Sequence, residues 1–362
     1  MSERMVSART VSPNEAKAAI RKCIKLNRAV FLWGAPGIGK SEIVHQVAAE
    51  TNRKVLDVRL SLWDPTDIKG IPYYNSDLRK MCWAPPEELP NLVDSTDVLF
   101  LDELNSAPPA TQAAAYQLIL NRRVGAYMLP DGVSIVAAGN REGDKGVTYR
   151  MPAPLANRFI HLELRVNFDD WYDWATRNKQ HPHVVGYLQF AKQDLNDFDP
   201  KSPNKAFSTP RSWSFVSELL EEDDTSENTL TDLISGSVGE GVAVKFMAHR
   251  KVSKQMPNPE DILTGKVKQF GIKEISAMYS LTVNMCYELQ EADRKMVKNW
   301  DLMADNFLSF IMDNFPTEIV VMGTKLAMTK YELPFDSGKM QNFDRFHDKY
   351  GSYIRQAMEE DR

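Results

Sequence analysis

The residues Gly34-Ala35-Pro36-Gly37-Ile38-Gly39-Lys40-Ser41 fill every fixed position of the pattern G-x-x-x-x-G-K-[ST]. Glycines at 34, 37 and 39 let the backbone turn tightly and aim its N–H groups inward at a phosphate. Lys40 is then placed to reach β- and γ-phosphates, and the Ser41 hydroxyl to ligate Mg²⁺. With Glu42, the span from Gly34 to Glu42 is the expected nucleotide-contacting stretch. Further along, the apolar run Val98-Leu99-Phe100-Leu101 ends in Asp102-Glu103. The first acid suits a second hold on Mg²⁺ and its waters, and the second suits polarising an attacking water. A third run, Val133 to Gly139, ends at Asn140, whose amide could hold that water against the γ-phosphate. Asn140 could equally just begin a turn. Together these residues point to hydrolysis of the terminal phosphate of ATP with Mg²⁺ as cofactor.

Such chemistry needs the groups on one rim, which is what a parallel sheet with helices on both faces provides. Ala29 to Trp33 is short and wholly apolar, as a strand covered on both faces must be. Glu42 to Ala49 repeats its apolar positions at helical spacing. Lys54 to Leu60, the run before Asp102, the run before Asn140, and Ile160 to Val166 supply four more strands. Open α/β sheets collect their ligands at the carboxyl ends of such strands. Ser12, Pro13 and Glu15 form a helix start with a capping box, predicting a helix to about Leu26. Ala107-Pro108-Pro109 opens another, filled by Thr111 to Arg122. Two β-hairpins interrupt the alternation: one around Asn75-Ser76-Asp77, within Trp63 to Trp83, and one over Arg123 to Gly132 with a Pro130-Asp131-Gly132 turn.

From Phe168 onward the pattern is helical. Thr209-Pro210-Arg211 begins one helix, with an arginine on its first turn where the helix dipole disfavours a cation; a broken local rule marks a candidate functional residue. Glu221-Glu222-Asp223-Asp224 reads as a solvated acidic loop. Ile275, Met278, Tyr279, Thr282, Met285, Cys286 and Leu289 share one helical face, which reads as core.

The chain has 362 residues, 43% hydrophobic and 26% charged, with a net charge of −5. That length implies more than one domain, and the charge argues against a protein whose main task is neutralising nucleic-acid phosphates. No apolar run approaches a membrane span, and the first residues lack the apolar core of a signal peptide. Cys23, Cys82 and Cys286 are scattered, without metal or disulfide spacing. A cytoplasmic location is expected.

Five motifs now stand in one order: GAPGIGKS, VLFLDE, the strand ending in Asn140, LANRF and TPRSW. This order resembles that of AAA+ ATPases. The two hairpins, and the stretches DPTDIKGIP, LDELNSAPPATQAAAYQLILNRRVG and MPAPLANRF, are similar to the MoxR branch. The resemblance covers roughly residues 28 to 220. It implies a P-loop NTPase core with a five-stranded parallel sheet over 1–166, an all-α lid over 167–270 and a helical extension over 271–362. It further implies that Asn140 is the sensor 1 residue, that Arg158 is an arginine finger acting on the neighbouring subunit's nucleotide, and that Arg211 is the lid's sensor 2. Arg150 and Arg165 would lie near the subunit interface. The assembly implied is a ring, commonly a hexamer. The implied work is remodelling or maturing a client protein, often beside a partner with a von Willebrand factor A domain, which would be a separate chain here. A DNA- or RNA-translocating ATPase, using Arg79-Lys80 and Arg122-Arg123 on the hairpins, is the alternative, and a nucleotide-gated scaffold that barely hydrolyses ATP is a third reading.

Overall fold

The computed structural model describes residues 9–90, 92–144, 148–221, 225–253 and 256–359. The N-terminal segment read for a leader (1–8) and the acids Glu222, Asp223 and Asp224 lie outside them. The chain divides into two compact units, Met1–Lys179 with Leu195–Phe215, and Gln180–Asp194 with Val216–Arg362.

The first unit opens with the short strand β1 (Thr10–Val11) and helix α1 (Pro13–Lys25). The capping box forms as expected: Ser12 Oγ accepts the Glu15 N–H, and Glu15 Oε2 accepts the Ser12 N–H at 2.7 Å. There follow β2 (Val30–Trp33), α2 (Lys40–Glu50), β3 (Val55–Arg59), α3 (Pro65–Lys69) and the hairpin β4 (Ile71–Asn75) with β5 (Lys80–Ala84). Next come β6 (Val98–Asp102), α4 (Pro109–Asn121), the hairpin β7 (Arg123–Val124) with β8 (Tyr127–Met128), β9 (Ser134–Gly139), α5 (Ala153–Ala156), β10 (Ile160–Leu164) and α6 (Phe168–Arg177).

Six strands form one parallel sheet in the order β1-β10-β2-β9-β6-β3. Alternation along each strand fills two separate cores. Val30, Leu32, Val98, Phe100, Val136 and Ala138 pack under α1 and α2. Phe31, Leu99, Leu101, Ile135 and Ala137 face the other way, against Ala114, Ala115, Leu118 and Ile119 of α4. Apolar residues at every position of a central strand therefore report burial on both sides. The strand count is one more than expected: β1 pairs with β10, Thr10 beside Glu163, and two residues are too few to show a period.

The second hairpin differs from its expected form. Its turn is Gly125–Ala126, with Gly125 at φ +54, whereas Pro130-Asp131-Gly132 leads into β9. Arg122 pins that second turn by donating from Nη2 to the carbonyls of Pro130 (2.6 Å) and Val133 (2.7 Å).

The second unit is helical: α7 (Pro182–Phe190), the later residues of α8 (Pro210–Glu221), α9 (Glu227–Val238), α10 (Glu240–Ser253), α11 (Pro259–Leu263), α12 (Ile275–Arg294), α13 (Trp300–Asn314), α14 (Thr317–Thr329) and α15 (Phe343–Glu359). The methionine-rich face of α12 is core, as Met278, Thr282, Met285, Cys286 and Leu289 are all buried; Ile275 at its start is exposed. Helix α14 approaches closely at Gly323, where a Cβ would stand 2.4 Å from Thr282 Cγ2. Among the described residues no helix is long and apolar enough to cross a membrane.

Candidate nucleotide-binding site

The neighbouring strands β2, β9 and β6 run the same way, so their carboxyl ends share a rim. Trp33 lies opposite Gly139, and Leu101 opposite Ala137. The residues that follow, Gly34, Asn140 and Asp102, therefore converge. The Gly34 N–H donates to the Gly139 carbonyl at 3.2 Å. Gly37 (φ +78) and Gly39 (φ +93) carry the loop through conformations closed to most side chains. Helix α2 begins at Gly39 without a side-chain cap, so its first N–H groups and the positive end of its dipole belong to the loop's concave side.

Lys40 reaches across this concavity. Its Nζ donates to the carbonyls of Gly34 (2.8 Å) and Ala35 (2.9 Å) and to Asn140 Oδ1 (3.0 Å). Ser41 Oγ donates to Asp102 Oδ2 at 3.2 Å. A half-buried ammonium held by neutral oxygens, an uncapped helix start, and a hydroxyl paired with a carboxylate form the donor set that a triphosphate with Mg²⁺ fits. Ser41 and Asp102 would be the metal's protein partners.

Burial pulls the Lys40 ammonium down to about 8, with Arg211 and Arg141 adding to the fall and Asp102 and Asp144 opposing it. The sign of the consequence is fixed. The charged form is the one that would recognise phosphate, and free protein loses that charge as pH rises through about 8. Bound phosphates would restore it, so binding should take up a proton there. We expect ATP affinity to be flat near pH 7 and to fall by up to about tenfold per pH unit above roughly pH 9. Calorimetry in buffers of different ionisation enthalpy should register the proton uptake; an affinity independent of pH would remove Lys40 from phosphate recognition.

Glu103 follows Asp102 in the left-handed region at φ +54. Its exposed carboxylate accepts the Ser61 hydroxyl at 2.6 Å. Asn105, 1% exposed, donates from Nδ2 to the Asn140 carbonyl at 2.7 Å, tying the turn after β6 to the end of β9. Arg141 pairs with Asp144 at 3.0 Å and Glu163 at 3.3 Å. Ser61, Asn105 and Arg141 belong to no sequence pattern: Ser61 and Asn105 each meet one residue distant in sequence, and Arg141 meets Asp144 nearby and Glu163 on β10.

Asn105 also explains Gly139. A Cβ there would stand 2.0 Å from Asn105 Oδ1 and 2.9 Å from Phe31 Cζ, inside a wholly buried strand. Gly139→Ala should destabilise the fold by about 2 kcal/mol and move Asn140, weakening nucleotide binding. Thermal denaturation with and without ATP will measure both, and an unchanged melting temperature would contradict this packing.

Arg211 sits on the first turn of α8. Its backbone N–H donates to the Gly37 carbonyl at 3.2 Å, and it lines a cavity of about 310 Å³ with Gly37, Gly39, Ser41, Glu42, Asn14, Asp170 and Trp174. A Cβ on Gly37 would meet Thr209 Oγ1 at 2.7 Å, so helix start and loop are packed together. Arg158 is not on that cavity's wall. It is exposed on the turn after α5, its N–H donating to the Leu155 carbonyl. Arg150 lines a different hollow with Pro109, Gln112, Tyr116 and Leu155, and Arg165 lies 3.9 Å from Glu15. The structure thus brings the loop, Asp102, Asn140 and Arg211 together, and leaves Arg158 apart.

Residues 29–159 match a family model described as AAA domain (dynein-related subfamily). That range runs from the first phosphate-site strand through Arg158. Midasin of Giardia intestinalis is 28% identical over 187 residues, 48% of this chain, and the chain spans only 4% of that relative's length. Among solved structures, the RuvB Holliday junction branch migration motor of Thermotoga maritima is 16% identical, over 83% of this chain and 86% of that one, with a TM-score of 0.36. NtrX of Brucella abortus, in complex with ADP, is 14% identical over 93% and 68%, with a TM-score of 0.38.

Proposed function

We propose that this chain, an AAA+ ATPase in its fold and its matched domain, is a ring-forming enzyme of the MoxR type that couples Mg²⁺-dependent ATP hydrolysis to remodelling of a partner protein. One observation carries the reading: Lys40, Ser41, Asp102 and Asn140 meet on one rim, while Arg158 stands exposed and away from it. A site so arranged would hold metal and phosphate through its own residues and take a further cation from a second copy.

Within the site, Lys40 would leave the loop carbonyls for the β- and γ-phosphates, joined by the N–H groups of the first turn of α2. Bound there by Ser41 and Asp102, Mg²⁺ would neutralise phosphate charge and hold the oxygens in place. Glu103, on giving up the Ser61 hydroxyl, would take a proton from the attacking water, which Asn140 orients. Arg211 would contact the γ-phosphate from its own subunit, and Arg158 the neighbour's. ATP binding would close the core against the lid, 167–270, hydrolysis would reopen it, and the hairpin inserts would pass that motion to the client.

The hairpin β4–β5 supports a role on partner proteins, because Tyr73, Tyr74 and Met81 are exposed along it. The net charge of −5 weighs against nucleic acid. A hexamer, a cytoplasmic location, and a separate partner with a von Willebrand factor A domain complete the proposal.

The test is turnover per subunit against protein concentration. A composite site should gain at least about a hundredfold on passing from dilute subunits to assembled ones. Full turnover by a dilute monomer would overturn the ring reading.

A further inference from the structure

Trp33, the residue before the phosphate loop, donates its indole N–H to His161 Nδ1 at 2.8 Å. An indole N–H can only donate, so Nδ1 must be the bare, accepting nitrogen. The ring hydrogen is then on Nε2, which lies 2.8 Å from the Ala156 carbonyl, an atom that can only accept. Both ring nitrogens are committed, and one neutral tautomer satisfies both bonds. The Ala156 carbonyl also takes the Phe159 N–H at 3.1 Å, closing a turn whose two middle residues are Asn157 and Arg158.

Aromatic packing stiffens this path. Phe31 stacks on Trp33 with ring centroids 4.1 Å apart and meets Phe159 edge-on at 5.4 Å. His161 lies beside Phe31 in the strand register. A phenylalanine at 161 would keep a ring beside Phe31 and lose both hydrogen bonds.

The geometry points to His161 as a positioning residue that ties the end of β2, and so the phosphate loop, to the turn presenting Arg158 to a neighbouring copy. This rests on Arg158 acting in trans. Through two bonds of 2.8 Å, the state of one subunit's loop sets the aim of the arginine it offers to the next.

Four variants of the full chain test it: His161→Phe, His161→Gln, Arg158→Ala and His161→Phe with Arg158→Ala. His161→Phe should keep ATP affinity within about twofold and keep its assembly state, while kcat falls roughly tenfold to a hundredfold, as small misplacements of a reacting group do. Glutamine can accept from Trp33 and donate to Ala156, so His161→Gln should recover most of kcat. The double variant should be no slower than Arg158→Ala alone, since both changes act on one interaction. A wild-type kcat in His161→Phe, losses that multiply in the double variant, or glutamine no better than phenylalanine would each overturn the assignment. A wild-type kcat in Arg158→Ala would instead remove the trans arginine, and this inference with it. Should His161→Phe fail to fold, Trp33→Phe removes the donor and should show the same kcat loss with unchanged ATP affinity.

Discussion

Glu103→Gln binds ATP as tightly as the wild type and turns it over about a thousandfold more slowly: that is the expected result. An amide is isosteric with the carboxylate, so Ser61 keeps a hydrogen-bonding partner at the position now 2.6 Å away. The backbone at φ +54 is no worse for glutamine than for glutamate. What the amide cannot do is accept a proton from water, and general-base assistance contributes roughly a hundredfold to ten-thousandfold. Lys40, Ser41 and Asp102 are untouched, so affinity should hold. Calorimetric binding and phosphate release, measured on one preparation, separate the two effects; wild-type phosphate release would remove Glu103 from the chemistry.

The second large effect is expected at Arg158. An exposed side chain away from the cavity costs little stability when truncated, within about 0.5 kcal/mol. Yet a finger arginine is worth about three to five orders of magnitude in rate. Arg158→Ala should therefore melt like the wild type, bind ATP like it, and hydrolyse at least about a thousandfold more slowly even when assembled. Mixing supplies the decisive version. Arg158→Ala has an intact loop and no finger, whereas Lys40→Ala has a finger and a damaged loop. Each should be inactive alone, and mixed rings should regain a measurable fraction of turnover, because some interfaces pair a good loop with a good arginine. No recovery on mixing, with mixed assembly verified, would place the arginine in its own subunit.

The parts of this architecture that were legible in the sequence are those written as patterns. A central parallel strand must be apolar at every position, and Val98 to Leu101 is; a phosphate loop needs glycine where φ is positive, and Gly37 and Gly39 stand there. The capping box at Ser12 was legible because its two bonds lie three residues apart. Other features leave no pattern. Strand β1 has two residues. The hairpin turn at Gly125 was obscured by a stronger turn signal at Pro130-Asp131-Gly132, which joins the hairpin to β9. Ser61 and Asn105 each bond through the side chain to one residue distant in sequence, and His161 to two, Trp33 and Ala156; a lone side chain has no periodicity to betray it. Arg211 stands out because it defies the helix dipole, and the structure sets it on the cavity wall beside Gly37.

The uncapped start of α2 has a consequence for the folding equilibrium. A helix whose N-cap is Gly39, with no side chain to receive its first N–H groups, beside a half-buried lysine, is a frame whose natural complement is an anion. ATP that binds only the folded chain adds about 2.7 kcal/mol of stability when present at a hundred times its dissociation constant. On the proposed ATP site, the metabolic state of the cell would thereby enter the lifetime of the protein itself: when ATP runs low, this chain should not merely idle but unfold more often, and be degraded sooner.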